Sequence, residues 1–261
     1  MIAVVDYQKG NLKSVERGLI AAGGEAFITA DASEIAKADA IVLPGVGAFA
    51  DAATTMCELG QMEAIRDRVR AGVPFLGICL GEHLMFEHGV EGAPEGNPAC
   101  GLGLLPGTVV AMPRCDAQGK TFKVPHVGWN TIEMPACNGG GKAVAVPPCG
   151  EGGGNAVLKQ SSLRSENAGG AFPGSTPQPG SELAFACPLS DGIAPGEYFY
   201  FTHSYIAPTG SHTIAETTHS VRFTSAVQFG ECAFGVQFHP EKSSDAGARV
   251  LANFVAIAAR G

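Results

Sequence analysis

The most constraining feature of the sequence is an apolar run, Val73–Phe86, that passes through glycines around a single cysteine. Its first half is apolar enough for a buried strand, and its second half predicts a helix. Glycines stand two places either side of Cys79, because a sharp turn from strand into helix leaves no room there for side chains. The run therefore predicts a nucleophile elbow, with Cys79 exposed at its tip and the first helical N–H groups favouring its thiolate.

A catalytic cysteine needs a base and a group that orients the base, whereas an isolated cysteine is more often a buried structural thiol. His239 and Glu241 follow a predicted strand, Ala233–Phe238, and stand two residues apart with Pro240 between them. A neutral imidazole can take the thiol proton and return it to a leaving amine, while a carboxylate fixes the imidazole tautomer. We therefore predict a catalytic triad of Cys79, His239 and Glu241.

Five spaced runs of the chain resemble motifs of one known family. Three of them resemble, in this order, the class I (triad) glutamine amidotransferases: Pro44–Gly47, Gly77–Gly81 and Gln237–Glu241. Two more, with Lys242 after the triad, resemble the glutaminase subunit of imidazole glycerol phosphate synthase: His126–Asn130 and Tyr200–Tyr205. The resemblance covers about 1–134 and 186–261. It implies a glutaminase that hydrolyses L-glutamine through a Cys thioester and delivers ammonia to a (β/α)-barrel cyclase subunit in histidine biosynthesis.

The Pro44–Gly47 loop follows a predicted strand at Ala40–Leu43, at the edge where open α/β sheets place their ligand sites. Taken alone, the loop reads as an ordinary strand-to-helix turn. Because the elbow lies on the following strand, the main-chain N–H groups of Val46 and Gly47, with that of Leu80, can instead hold an oxyanion. The resemblance supports this second interpretation.

The resemblance also implies which residues bind glutamine: Gly45, His83, Glu91, Ser204 and Tyr205. Glu91 stands where the family places a carboxylate on the substrate's α-ammonium group, although a solvated loop acid is the alternative. Ser204 and Tyr205 are expected at the α-carboxylate end. His83 replaces the usual glutamine, and it is either a tolerated substitution or a residue that weakens glutamine binding, by poorer hydrogen bonding or by protonation in mild acid.

A partner surface is expected around the run that begins at His126. The resemblance places His126, Trp129 and Asn130 towards the synthase partner, although a lone tryptophan is usually buried core. Lys242, just after the triad, is expected to pair with a carboxylate across the interface. His203 lacks an acid two residues on, so we predict a structural hydrogen-bonding role for it.

Alternating short apolar runs and helical segments predict an α/β fold. We expect an open mixed sheet, mainly parallel with added antiparallel strands, flanked by helices. Asn11 is expected to cap a first helix with Leu12, Val15, Leu19 and Ile20 on its buried face. Three alternating segments predict the added antiparallel strands: Thr108–Met112, Thr121–Pro125 and Gly128–Glu133.

The length of 261 residues with 45% hydrophobic content fits one α/β domain. An insertion at 135–184 interrupts it and is rich in Gly, Pro and Ser. Such a composition cannot bury enough apolar surface to offset the entropy lost on ordering. The insertion is therefore predicted to be a mobile surface loop.

Charge and composition exclude several other function classes. A net charge of −8 with no long basic run argues against nucleic-acid binding. No stretch approaches the roughly 20 apolar residues of a membrane span, so a cytoplasmic protein is expected. The eight cysteines are scattered, which predicts neither a metal site nor a cofactor. A glutaminase serving a paralogous synthase, such as one amidating a surface sugar, and an inactive binding homologue remain as alternatives.

Overall fold

The computed structural model describes residues 1–133, 135 and 187–260. The predicted insertion at 135–184 lies outside the described residues except for Pro135, so its predicted mobility stays a prediction. In the part of the chain that is described, no helix is both long and apolar enough to cross a membrane.

Strands and helices alternate over the first half of the chain, and strands dominate the second half. The strands are β1 Ile2–Val5, β2 Ala26–Thr29, β3 Ala40–Gly45, β4 Phe75–Cys79, β5 Phe86–Gly89, β6 Ala99–Cys100, β7 Leu105–Ala111, β8 His126–Thr131, β9 Tyr198–His203, β10 Tyr205–Ile206, β11 Thr213–Thr218, β12 Arg222–Phe229 and β13 Ala233–Val236. The α-helices are α1 Leu12–Ala21, α2 Ala32–Ile35, α3 Phe49–Glu58, α4 Gln61–Arg70, α5 Leu80–His83 and α6 Ser244–Ala258.

Seven strands form the central sheet, in the order β11-β12-β13-β4-β3-β1-β2. The strands from β13 to β2 run parallel to one another, whereas β12 pairs antiparallel with β13 and β11 pairs antiparallel with β12. This arrangement confirms the predicted open mixed sheet, mainly parallel with added antiparallel strands.

Both faces of the sheet are covered, because alternate residues of each central strand point to opposite faces. In β1, Ile2 and Val4 join an apolar cluster that includes α1 and α6, while Ala3 and Val5 join one that includes α3 and α4. Nearly continuous apolar strands are typical of parallel strands buried on both faces. Strand β4 pairs with β3 on one side and with β13 on the other, so these three buried strands lie side by side.

Two details of the first helix were predicted wrongly. Ile20 is 53% exposed, because the buried stripe of α1 is narrower than predicted and is made by Val15 and Leu19. Asn11 occupies the N-cap position, but its side chain makes no capping hydrogen bond. The second helix, α2, does have a side-chain cap, since Asp31 accepts a hydrogen bond from Ser33 N–H over 2.7 Å.

Antiparallel strands were expected to join the parallel core at Thr108–Met112, Thr121–Pro125 and Gly128–Glu133, and this placement was wrong. β7 lies in a separate four-stranded sheet with β10, β5 and β6, and β8 pairs only with β9. Thr121–Pro125 is not a strand, since within it only Thr121 forms an isolated bridge, to Cys115. The antiparallel extension of the core comes from β11 and β12 instead. Strand β12 pairs with the free edge of β13, and β11 pairs with β12.

Candidate active site

The elbow at the end of β4 is a backbone device that the glycines permit. Cys79 has φ 55° and ψ −106°, a conformation that side chains rarely adopt, between the strand and the single turn of α5. A Cβ on Gly77 would lie 2.5 Å from the carbonyl oxygen of Gly81, and one on Gly81 would lie 1.8 Å from that of Leu43. The glycines are therefore required by close packing of the turn against β3.

Cys79 was expected to be exposed, but only 7% of it is accessible. Segments from the C-terminal half cover the sulfur. Its thiol lies 3.9 Å from the carbonyl oxygen of Thr202, and Nε2 of Gln237 lies 3.7 Å from Sγ. The sulfur of the nucleophile candidate is thus flanked by a carbonyl oxygen and by a side-chain amide nitrogen.

His239 and Glu241 meet beside the elbow at the end of β13. Nδ1 of His239 lies 3.0 Å from Oε1 of Glu241, and the two side chains are 3% and 2% exposed. Pro240 begins a single 3-10 turn, Pro240–Lys242, which brings residues two apart to the same side. This short turn gives the imidazole its orienting carboxylate.

The pKa of His239 reflects two opposing influences. Burial lowers this pKa, but the Cys79 sulfur and the Glu241 carboxylate outweigh burial and raise the pKa to about 9. Cys79 is therefore near enough to favour the imidazolium form of His239. Among the described residues, Nε2 of His239 has no hydrogen-bond partner. A buried thiolate and imidazolium can form as a pair if the thiol proton moves to Nε2.

The loop after β3 differs from the prediction in one respect. Pro44 and Gly45 belong to the strand and pair with Ile78 and Cys79 of β4, so only Val46 and Gly47 lie beyond it. The amide of Val46 is not free in this conformation, because its N–H donates to the hydroxyl of Tyr7 over 3.1 Å. Of the predicted oxyanion donors, the N–H groups of Gly47 and Leu80 are not engaged by Tyr7.

A cleft of about 400 Å³ opens over the elbow. Its lining includes seven of the residues predicted from the sequence besides Cys79: Val46, Gly47, Leu80, His83, Glu91, Ser204 and Tyr205. Gly45 lies below the cleft, where a Cβ would meet Tyr7 Oη at 2.6 Å. The structure therefore brings the predicted substrate residues to one cleft from three different parts of the chain.

The two ionisable residues predicted to bind glutamine differ in their surroundings. Burial raises the pKa of Glu91, which is half-buried at the cleft. His83 is almost fully buried, and its Nε2 lies 2.7 Å from Oε1 of Gln237. Burial also lowers the pKa of His83 to about 4. The suggestion that His83 becomes protonated in mildly acid conditions is therefore wrong.

The expectation that His126 faces a partner is wrong for its side chain, which is 4% exposed. Its Nδ1 lies 3.0 Å from Nε2 of His203, whose Nδ1 in turn lies 2.8 Å from the carbonyl oxygen of Tyr205. Because a carbonyl accepts only, His203 carries its proton on Nδ1 and accepts from His126, while Asn130 lies 3.2 Å from His126 Nε2. The hydrogen bond between these neutral rings links β8 to β9 inside the protein. This is the structural hydrogen-bonding role that we predicted for His203.

Other members of the predicted interface lie at the surface. Trp129 is 51% exposed on β8, and its ring meets Tyr200 of β9 edge to face. The ammonium of Lys242 lies 6.0 Å from the centre of the Tyr200 ring. Val127 and Tyr198 are also exposed on this hairpin. The β8–β9 hairpin therefore presents an aromatic patch next to the triad turn.

Three residues near the nucleophile were missed by sequence reasoning: Tyr7, Thr202 and Gln237. Gln237 stands inside a quoted motif, directly before Phe238 and His239, so its position offered a signal. Thr202 also stands inside a quoted run, Tyr200–Tyr205. Tyr7 carried no signal, because its contact with Val46 depends on folding across distant parts of the chain. Among the described residues, no group of three or more His, Cys, Asp and Glu side chains is placed to hold a metal ion.

The family model described as glutamine amidotransferase class-I matches residues 3–146 of the chain. Two similar curated proteins are both described as imidazole glycerol phosphate synthase subunit HisH. That of Moorella thermoacetica is 37% identical over 255 residues, covering 97% of this chain and 93% of the relative. That of Rhodopirellula baltica is 36% identical over 256 residues, covering 97% of this chain and 96% of the relative.

Solved structures show the same fold at low sequence identity. One described as a crystal structure of glutamine amidotransferase has a TM-score of 0.60 at 16% identity, covering 99% of this chain and 100% of the other. The structure of PurLQS from Thermotoga maritima has a TM-score of 0.58 at 15% identity, covering 98% and 97%. These likenesses concern the arrangement of strands and helices alone.

Proposed function

The chain belongs to the class I glutamine amidotransferases, and on that premise we propose that Cys79 in its cleft attacks the side-chain amide of L-glutamine. The relatives at 36–37% identity over nearly the whole chain carry the finer assignment. The protein is the glutaminase subunit of imidazole glycerol phosphate synthase, in histidine biosynthesis. The observation that best supports the proposed chemistry is the buried His239–Glu241 pair beside the elbow cysteine.

In the first half of the proposed reaction, the thiol proton of Cys79 moves to Nε2 of His239. The thiolate then attacks the amide carbon and forms a tetrahedral oxyanion. The Glu241 carboxylate accepts from Nδ1–H, so it holds the ring in the tautomer that leaves Nε2 free and stabilises the imidazolium. The N–H groups of Gly47 and Leu80, which Tyr7 does not bond, are the oxyanion donors in this proposal.

In the second half, the oxyanion collapses and the carbon–nitrogen bond breaks. Ammonia leaves with the proton returned by His239, and Cys79 keeps the γ-glutamyl group as a thioester. Water then attacks the thioester while His239 takes a water proton. The carbon–sulfur bond breaks to give glutamate, and the proton on His239 restores the thiol. No cofactor is needed for this balance.

The cleft also offers groups for the two ends of glutamine. Glu91 is proposed to bind the α-ammonium group, because a half-buried carboxylate attracts a cation more strongly than a solvated one does. Ser204 and Tyr205 are proposed at the α-carboxylate, since both line the cleft. Gly45, below the cleft, helps by letting Tyr7 and Leu80 approach closely.

Ammonia released in the cleft needs an acceptor site on another chain, because the relatives are named as subunits of a synthase. We propose a (β/α)-barrel cyclase subunit as that partner in a heterodimer, in the cytoplasm. The exposed Trp129 and Lys242 are proposed to face it. Asn130 is half-buried and donates a hydrogen bond to the carbonyl oxygen of Thr218. We therefore propose that it supports the surface that Trp129 and Lys242 form.

The test is glutamine hydrolysis by the purified chain with and without the barrel subunit. The proposal expects glutamate production that Cys79→Ala abolishes while the fold stays intact. Cys57→Ala is the matched control, since Cys57 is an exposed free cysteine on α3. Hydrolysis that survives in Cys79→Ala would rule the proposal out.

A further inference from the structure

We propose that Gln237 is a further catalytic residue that stabilises the thiolate of Cys79 through its side-chain N–H, and that His83 is a positioning residue that orients it. The proposal rests on the proposed function only in taking Cys79 as the nucleophile. It gives His83 a role other than the substrate binding predicted from the sequence.

The three side chains form one connected row behind the nucleophile. Nε2 of Gln237 lies 3.7 Å from Sγ of Cys79, and Oε1 of Gln237 lies 2.7 Å from Nε2 of His83. Gln237 is fully buried and His83 nearly so, so water does not compete for these hydrogen bonds. Gln237 reaches the sulfur from just after β13, and His83 stands at the end of α5, where it also lines the cleft.

The tautomer of His83 sets the direction of the hydrogen bonds in the row. Burial keeps the pKa of His83 at about 4, so the ring is neutral at working pH and has a single N–H. With that proton on Nε2, His83 donates to the Gln237 carbonyl oxygen, and the Gln237 amide must then present its N–H to sulfur. The other tautomer would turn the amide round and place a carbonyl oxygen against the sulfur.

The thiolate itself selects between these two arrangements. A sulfur anion repels a carbonyl oxygen and attracts an N–H, so the arrangement that donates is favoured once the thiol proton has left. The carbonyl oxygen of Thr202, 3.9 Å from the sulfur, suits the neutral thiol but cannot stabilise its anion. Gln237 therefore supplies a second donor to the thiolate, beside the His239 imidazolium that holds the transferred proton.

The test is the rate of alkylation of Cys79 by iodoacetamide in the whole protein across pH, followed by mass spectrometry of the Cys79 peptide. Gln237→Met keeps length and removes the donor, and we expect alkylation at neutral pH to slow about tenfold, the size of a charge-assisted hydrogen bond. Gln237→Glu, which places a carboxylate at the sulfur, should slow it further. The turnover number for glutamine should fall in parallel, with KM changed less than about twofold.

His83 supplies a second, independent pair of variants. His83→Phe fills the space without a donor and should slow alkylation in the same direction by a smaller factor. His83→Gln should restore the rate to within about twofold, because its amide can also donate to Oε1 of Gln237. The matched control is Gln61→Met, since Gln61 is a buried glutamine that bonds the carbonyl oxygens of Asp6 and Ala30 away from the sulfur.

The proposal is overturned if folded Gln237→Met alkylates with the pH profile of the unaltered protein. Should Gln237→Met fail to fold, the His83 pair decides: equal rates in His83→Phe and His83→Gln overturn the proposal, and rescue by glutamine supports it. Alkylation needs neither glutamine nor a partner subunit. A failure here is therefore distinct from a failure of the glutaminase assignment, which Cys79→Ala tests.

Discussion

The hydroxyl of Tyr7 accepts a hydrogen bond from the main-chain N–H of Val46 over 3.1 Å, directly beside the nucleophile elbow. The same hydroxyl lies 3.5 Å from the Val46 carbonyl oxygen, so Tyr7 contacts both polar main-chain atoms of Val46. A Cβ on Gly45 would meet that hydroxyl, which explains why a glycine precedes Val46. The N–H of Val46, one of the predicted oxyanion donors, is therefore bonded to the side chain of Tyr7, which follows β1.

Tyr7→Phe should release the Val46 N–H while keeping the ring in the core. We expect glutamine hydrolysis by the isolated chain to rise by up to about tenfold, because one oxyanion donor becomes available; losing such a donor costs about 10²–10³ in other enzymes. The measurement is the turnover number without partner. An unchanged or lower rate would show that Tyr7 does not restrain this donor.

Glu241→Gln should separate the base from its orienting carboxylate. We expect the turnover number to fall about 10²–10⁴-fold with little change in KM, because an amide can hold the wrong imidazole tautomer. Glu87→Gln is the control, since Glu87 is an exposed acid on β5. A loss of less than tenfold in Glu241→Gln would remove Glu241 from the triad.

The raised pKa of His239 also has a consequence for stability. Its pKa of about 9 in the folded protein lies above the ordinary pKa of 6.5, so the stabilisation is complete below pH 6.5 and is lost as pH rises through about 9. Thermal unfolding measured from pH 6 to 10 should show this loss. In Glu241→Gln the loss should be smaller and should occur at lower pH.

Glu82 is a fully buried acid on α5 whose carboxyl oxygens have no hydrogen-bond partner among the described residues. Burial raises its pKa well above 4.5, so the folded state holds a proton that the unfolded state releases. Stability should therefore fall as pH rises above 4.5, until the folded pKa is passed.

Glu82→Met should remove that cost, because an apolar chain of similar length fits beside Gly235 and Met85. We expect a gain of about 1–3 kcal/mol, or roughly 5 °C in Tm near neutral pH, that shrinks towards pH 4.5. Glu58→Met, at an exposed acid of α3, should give no such gain. Equal or lower stability of Glu82→Met at pH 7 would mean that the carboxyl is satisfied.

The exposed patch on β8 and β9 is the basis for a prediction about assembly. Trp129→Ala and Lys242→Glu should each weaken binding to the barrel cyclase subunit by about tenfold, as exposed aromatic and charged contacts often do at interfaces. The control is Lys37→Glu. Lys37 follows α2, which connects β2 to β3, and these strands lie far from β11 in the order of the central sheet. Calorimetry that finds unchanged affinity in both variants would place the interface elsewhere.

Sequence reasoning located the elements that carry strong local signals. The elbow glycines are set by the local chain, and the structure has them at the predicted turn from β4 into α5. Sheet membership of β7 and β8 could not be read locally, since an alternating strand fits any sheet with one covered face.

In the candidate site too, some features follow from the local sequence and others depend on packing between distant segments. The pairing of His239 with Glu241 depends on residues two apart, so their spacing predicted it. The burial of Cys79 and His126, and the contacts of Gln237 with His83, depend on packing between segments more than 70 residues apart. No pattern within one segment encodes such contacts, which is why Cys79 was expected to be exposed.

The most direct test of the central claim uses an electrophilic ketone analogue of glutamine that alkylates a nucleophile placed at the side-chain amide. The protein is treated with less than one equivalent, and residual glutaminase activity and the modified peptide are measured together. Modification of Cys79 first, in proportion to lost activity and prevented by excess glutamine, is the predicted result. Loss of activity that follows modification of any of the other seven cysteines, with Cys79 unmodified, would contradict the account.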